Sequence, residues 1–141
     1  MEISDVRKRV LRAIDRAKRS AADRRARADQ AALEYDTFLD GVAVPLFRQI
    51  ASVLRAEGYP FSVSTPGGSV RLMSDRSGDD YVELVLDTSG SEPTVTGCSR
   101  RSRGRRVIES EQPIGTSAIR DLTEEDVLSF LLRELEAFVE R

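Results

Sequence analysis

Histidine, tryptophan and asparagine do not occur in this chain of 141 residues, and cysteine occurs once. Without histidine there is no imidazole for general acid–base work, no Ser-His-Asp or Cys-His triad, and no histidine ligand for a metal. The single thiol, Cys98, forms no intramolecular disulfide, which excludes a secreted, disulfide-stapled framework. No stretch approaches the ~18 apolar residues of a membrane span, and Met1 to Arg7 contain no apolar signal region. Glu2, Asp5 and Asp15 argue against a transit peptide, which is poor in acids. The expectation is a soluble, cytoplasmic, non-enzymatic protein that needs no cofactor and no metal. Carboxylates such as Asp80 or Glu83 could act without histidine, but no pair with a defensible geometry is visible.

Forty per cent of the residues are hydrophobic and 33% are charged, a balance that fits one folded domain rather than a disordered chain. Lys plus Arg number 22 and Asp plus Glu 24, for a net charge of -2. That near-neutrality hides an asymmetry. Residues 1–28 hold ten basic and four acidic side chains, whereas residues 121–141 hold seven acidic and two basic. Segregated charge points to pairing of the two ends or to a partner for one of them. Twenty of the 22 basic residues are arginine, which together with the missing asparagine fits a GC-rich genome, so arginine placement carries more weight than arginine abundance.

Residues 3–40 contain neither glycine nor proline and are rich in good helix formers. Within them runs a heptad-like stripe of the coiled-coil kind. One row is Ile14, Ala21, Ala28, Tyr35 and Val42, and the other is Val10, Ala17, Arg24, Ala31 and Phe38. A helix of this length measures roughly 57 Å, while the remaining ~100 residues form a domain about 35 Å across. The helix is therefore expected to overhang its domain and to pack on a second copy of itself. The oligomerisation residues are Val10, Ile14, Ala17, Ala21, Ala28, Ala31, Tyr35 and Phe38. This divides the chain into a helical arm, 1–41, and an α+β domain, 42–141.

Gly41 to Pro45 breaks the helical pattern, and Pro45 suits the first turn of a new, short helix. Phe47, Ile50, Val53 and Leu54 give that helix a buried face, and Gly58 and Pro60 end it. From 61 to 111 the apolar period is two. Short runs separated by Pro66-Gly67-Gly68, Arg76-Ser77-Gly78-Asp79 and Ser89-Gly90-Ser91-Glu92-Pro93 predict a four- to five-stranded antiparallel meander with its third strand central. Thr123-Glu124-Glu125-Asp126 resembles a capping box, and Val127, Leu128, Leu131, Leu135, Phe138 and Val139 predict a C-terminal helix packed on one sheet face.

Five arginines in seven positions, Arg100, Arg101, Arg103, Arg105 and Arg106, form the densest local feature and read as a hairpin loop that binds an anion or an acidic partner. The plainer reading is a solvated loop close to Glu109, Glu111 or the acidic C-terminal helix. The basic residues of the first helix admit a nucleic-acid partner, with a charged outer face as the plainer reading. They lack the wide apolar face and aromatic anchors of a membrane-surface helix. Asp75, Asp79, Asp80 and Glu83 could hold a hard cation, but their spacing is not that of an EF-hand and they are ordinary turn residues. Pro66-Gly67-Gly68-Ser69 joins two strands and is no phosphate loop. Cys98 lacks a histidine base; arginines near it in sequence could lower its pKa if it is exposed, and the plainer reading is a small side chain on a strand.

The function expected is that of an adaptor. It forms a homo-oligomer, as a dimer, through residues 3–40 and offers a sheet face and an arginine-rich loop to a protein partner. The alternative is a nucleic-acid-binding accessory protein that uses the basic arm and the arginine loop.

Overall fold

The computed structural model describes residues 1–115 and 118–139. Its elements follow in chain order as helix α1 (Ile3–Phe38), a π-helical turn (Leu39–Ala43) and helix α2 (Val44–Ala56). Strands β1 (Phe61–Ser64), β2 (Val70–Ser74), β3 (Tyr81–Asp87), β4 (Thr94–Arg103) and β5 (Arg106–Pro113) come next, and helix α3 (Glu124–Val139) closes the chain. The sheet order is β1-β2-β3-β4-β5 with every neighbouring pair antiparallel, so the α+β meander with a central third strand is as the periodicity indicates.

The expected break at Gly41–Pro45 is not a break. Proline inside an α-helix lacks the N–H that would bond to the carbonyl four residues back, and its ring crowds that carbonyl. Here the chain answers with a π-turn, in which the Val44 N–H donates to the Leu39 carbonyl five residues earlier. The flanking Phe38 and Val44 both keep right-handed helical dihedrals, so α1 and α2 form one continuous helix of 54 residues, Ile3–Ala56. Contrary to the expectation that no stretch approaches a membrane span, an 18-residue window of this continuous helix is long and apolar enough to cross one by length and composition, with 33% of it buried inside the protein.

The core forms between the helices and one face of the sheet. Val70, Leu72, Val82, Leu84 and Val95 line that face, and Phe47, Val127, Phe130 and Leu131 cover it, all at most 2% exposed. Burying side chains of this size contributes about 1.5–3 kcal/mol each. Val53, assigned by helical period to the buried face of α2, is 63% exposed. Six residues past Phe47, Val53 lies about 120° around the helix from it, off the face that Phe47, Ile50, Ala51 and Leu54 turn to the core.

The last turns of α1 also belong to this core. Ala31, Tyr35, Phe38 and Leu39 are buried, and the Tyr35 hydroxyl donates to the Leu84 carbonyl of β3 at 3.3 Å. Burial pushes that hydroxyl well above its ordinary pKa, with Glu83 and Asp36 adding to the effect. Tyr35 therefore stays neutral and serves as a donor.

Two polar fixtures hold the ends of the layer. Arg55 at the end of α2 donates through Nη2 to the Phe61 carbonyl, to Ser62 Oγ and to Asp75 Oδ2, the last at 2.7 Å. Thr123 caps α3 reciprocally with Asp126: the Thr123 N–H donates to Oδ2 at 2.9 Å, and the Asp126 N–H donates to Thr123 Oγ1 at 3.3 Å. The box expected from Thr123 to Asp126 thus forms with aspartate in the usual place of glutamate.

Candidate functional site

Three surfaces carry the residues singled out by sequence: the free part of α1, the arginine hairpin, and the sheet face that no helix covers.

Residues 1–20 are exposed throughout, so the first eighteen residues of α1 project roughly 27 Å beyond the domain. The heptad stripe divides at this boundary. Its C-terminal members Ala31, Tyr35 and Phe38 are consumed by the protein's own core and are unavailable to a second copy, which corrects their assignment to oligomerisation. Ala21 and Ala28 are half-buried, and Val10, Ile14 and Ala17 stand in solvent on the same stripe. Ile3, 87% exposed, continues it one heptad earlier, with Val6 and Leu11 exposed beside it. Sequence alone cannot place that division, because a core and a partner helix both select the same period.

The arginine cluster is not a loop. Arg100, Arg101 and Arg103 lie on β4, Arg106 opens β5, and only Gly104 and Arg105 form the turn. Gly104 takes a positive φ of 62° at the first central position of the two-residue connection, as a type II′ hairpin requires. Because side chains alternate across a strand, the five arginines do not form one surface. Arg100 shares the open face with Glu109, its Nε 3.8 Å from the carboxylate. Arg101 and Arg103 reach the other face, where both donate to the Ala137 carbonyl near the end of α3, and the Arg101 guanidinium lies 5.9 Å from the centre of the Phe138 ring. These two supply the cation that the negative end of a helix favours, and α3 has no basic residue of its own in its last turn. Arg105 and Arg106 are exposed at the tip. The concentrated anion site expected there is therefore spread over two faces and a turn.

The open face is polar and internally paired. Arg71 Nε donates to Glu83 Oε2 at 2.7 Å while its guanidinium stacks 4.1 Å from the centre of the Tyr81 ring. Cys98 sits beside them, opposite Glu83 on one strand and Glu111 on the other. Burial pushes the Cys98 thiol up, and Glu111, Glu83 and Asp87 push it further. The arginines near it in sequence either point away or sit against a carboxylate, so Cys98 is the small strand side chain of the plainer reading and not an activated thiol. The carboxylates near the second turn are committed separately. Asp75 accepts from Arg55 and Ser62, Asp80 from the Ser102 N–H, and Glu83 from Arg71. Among the described residues no cluster of three metal-ligating side chains occurs.

Two features escaped the sequence. Gly97 lies where β4 passes Phe130, so closely that a Cβ built there would sit 2.4 Å from the Phe130 Cζ. A lone glycine inside a strand is the available signal for such an approach. The second is an outward stripe on α3, where Leu132 is 52% exposed. No protein-family model, curated protein or solved structure matches the chain.

Proposed function

We propose that this protein is a non-enzymatic adaptor that self-associates through the free half of its N-terminal helix and offers its open sheet face and arginine hairpin to a protein partner. The observation that carries the reading is the divided stripe. One heptad pattern is buried in the chain's own core at Ala31, Tyr35 and Phe38 and lies in solvent at Ile3, Val10 and Ile14. A projecting helix of eighteen residues gains little from propensity alone, since most helical stability comes from packing an apolar face. Such an arm stays folded at low cost when another surface covers its stripe.

The open face suits a protein partner of mixed charge. Arg71, Glu83, Arg100 and Glu109 alternate in sign across it, whereas a nucleic-acid face would carry one sign. The division of the arginines between two faces weakens the nucleic-acid alternative for the same reason. A single thiol fits a cytoplasmic setting.

Sedimentation velocity of the full chain over a range of concentrations tests the reading. A concentration-dependent dimer is expected at micromolar concentrations. A single species of 15.7 kDa at high micromolar concentration overturns it.

A further inference from the structure

We infer that the free arm of one copy docks on the outer stripe of α3 in a second copy, making a reciprocal arm exchange rather than a coiled coil between two arms. The inference rests on the self-association reading above and names the surface that receives the arm.

The first argument is charge. A heptad seam is flanked by positions whose side chains reach across to the partner. Around the α1 seam the charged residues at those positions are Lys18, Arg25, Arg27 and Glu34; Arg27 meets Glu92 of its own domain at 3.6 Å, and Lys18 is the one that lies in the free arm. Two copies of the free arm laid together offer no acid at these positions to meet Lys18. Over residues 1–21 the arm carries seven basic and three acidic side chains, so a homotypic pair adds like to like. Residues 121–139, by contrast, carry six acidic side chains and one basic.

The second argument is the stripe itself. Val127, Phe130 and Leu131 face the sheet, and a second apolar row runs beside them at half-buried Leu128, exposed Leu132, half-buried Val139 and Leu135, which is 8% exposed and belongs to the protein's own core. The steps of four, three and four residues are those of a helix that accepts a partner helix. Leu132 stands 52% exposed in this row, and Leu132, Leu135, Glu136 and Val139 line a shallow hollow there. The carboxylates of Glu125 and Glu136 are exposed on its outer margin, with Arg133 beyond them. From Leu128 to Val139 the row is about 16.5 Å long, which is the span from Ile3 to Ile14 on the arm.

The third argument is reach. Nothing between Ile3 and Asp40 is glycine or proline, and the arm leaves the domain as one continuous helical run with residues 1–20 exposed. It does not fold back onto its own α3. A second copy related by a two-fold axis supplies the missing surface twice over, arm to α3 and α3 to arm, and closes the assembly as a dimer.

The test is photo-crosslinking in the full chain with a benzophenone amino acid in place of Leu132, in a mixture of isotopically labelled and unlabelled protein. Crosslinks from position 132 to residues 3–21 of the other copy are expected. Leu132→Arg, on a side chain outside the core, should raise the dimer dissociation constant at least tenfold with an unchanged circular dichroism spectrum. Raising salt from 50 to 500 mM should weaken the parent dimer. A dimer that Leu132→Arg leaves intact, or one whose crosslinks fall outside 3–21, overturns the exchange and leaves self-association standing. A chain that is monomeric throughout overturns both.

Discussion

Replacing Gly97 by alanine tests the packing that unites sheet and helices, and its size can be worked from the geometry. A Cβ at this position would lie 2.4 Å from Phe130 Cζ, 2.5 Å from Cε1 and 2.8 Å from Ile114 Cδ1. Ordinary carbon–carbon contacts lie at ~3.5–4.0 Å, so the ring has to retreat by about 1 Å. Phe130 and Ile114 are 1% and 4% exposed, and neither has solvent to retreat into. Overpacking of this kind costs about 1–3 kcal/mol. Alanine also restricts the unfolded chain and so returns about 0.4–1 kcal/mol. The net expectation is a loss of about 1–2 kcal/mol. With a urea slope of about 2 kcal/mol/M, the midpoint should fall by roughly 0.5–1 M. Protein concentration is held fixed, because the proposed self-association would add to apparent stability. Adding Phe130→Leu should recover part of the loss, since the shorter side chain vacates the space the new methyl needs, and the double mutant should be non-additive. Gly41→Ala is the control of opposite sign. Nothing lies within 4 Å of its added Cβ, and in a helical segment alanine is better than glycine by about 0.5–1 kcal/mol. A Gly97→Ala midpoint equal to or above that of the parent would refute the close approach of β4 to Phe130.

Other expectations follow from single contacts. Thr123→Ala removes the hydroxyl that accepts from the Asp126 N–H and should cost about 1 kcal/mol in denaturant unfolding; no loss would mean the cap is idle. The Ser62 hydroxyl and then the Arg55 guanidinium hold the Asp75 carboxyl below its ordinary range. Its contribution to stability is thus complete above the unfolded value of ~3.9 and is lost as pH falls through the lower folded value. Asp75→Asn should flatten the stability curve in that acid window, and an unchanged slope would contradict the pairing. Because burial and then Glu111 raise the Cys98 thiol, labelling by a disulfide reagent at pH 8 should be slower in the folded than in the unfolded chain, and Glu111→Gln should speed it. A folded thiol that reacts faster than the unfolded one would overturn the assignment.

Much of the architecture is legible in the sequence because each element obeys a single strong rule. The alternation of Val82, Leu84 and Leu86 with Tyr81, Glu83 and Val85 marks a strand with one buried face, and Thr123 with Asp126 marks the start of a helix. The reading fails where two rules compete at one place. Gly41 and Pro45 are breakers locally, yet a π-turn lets the helix pass, because tertiary burial of Phe38, Leu39 and Phe47 outweighs the local penalty. Arg100 to Arg106 read as a loop because arginine and serine are common there, while the ladder from Thr96↔Pro113 to Arg103↔Arg106 extends both strands to the tip. Once the strand is extended, its period of two separates arginines that sequence density had joined. The stripe of α1 is equally ambiguous, since Tyr35 and Val10 obey the same spacing and only the fold distinguishes core from surface.

Sedimentation equilibrium of the full-length Ile14→Glu variant beside the parent tests the central claim most directly. The substitution puts a carboxylate on the exposed stripe, where Ile14 is 45% accessible and touches nothing in the domain core. The parent is expected at twice the chain mass of 15.7 kDa and the variant at the chain mass, with the same unfolding cooperativity and helical signal. A variant that remains dimeric with the affinity of the parent would contradict the account, because the projecting half of α1 would then not be the surface that brings two copies together.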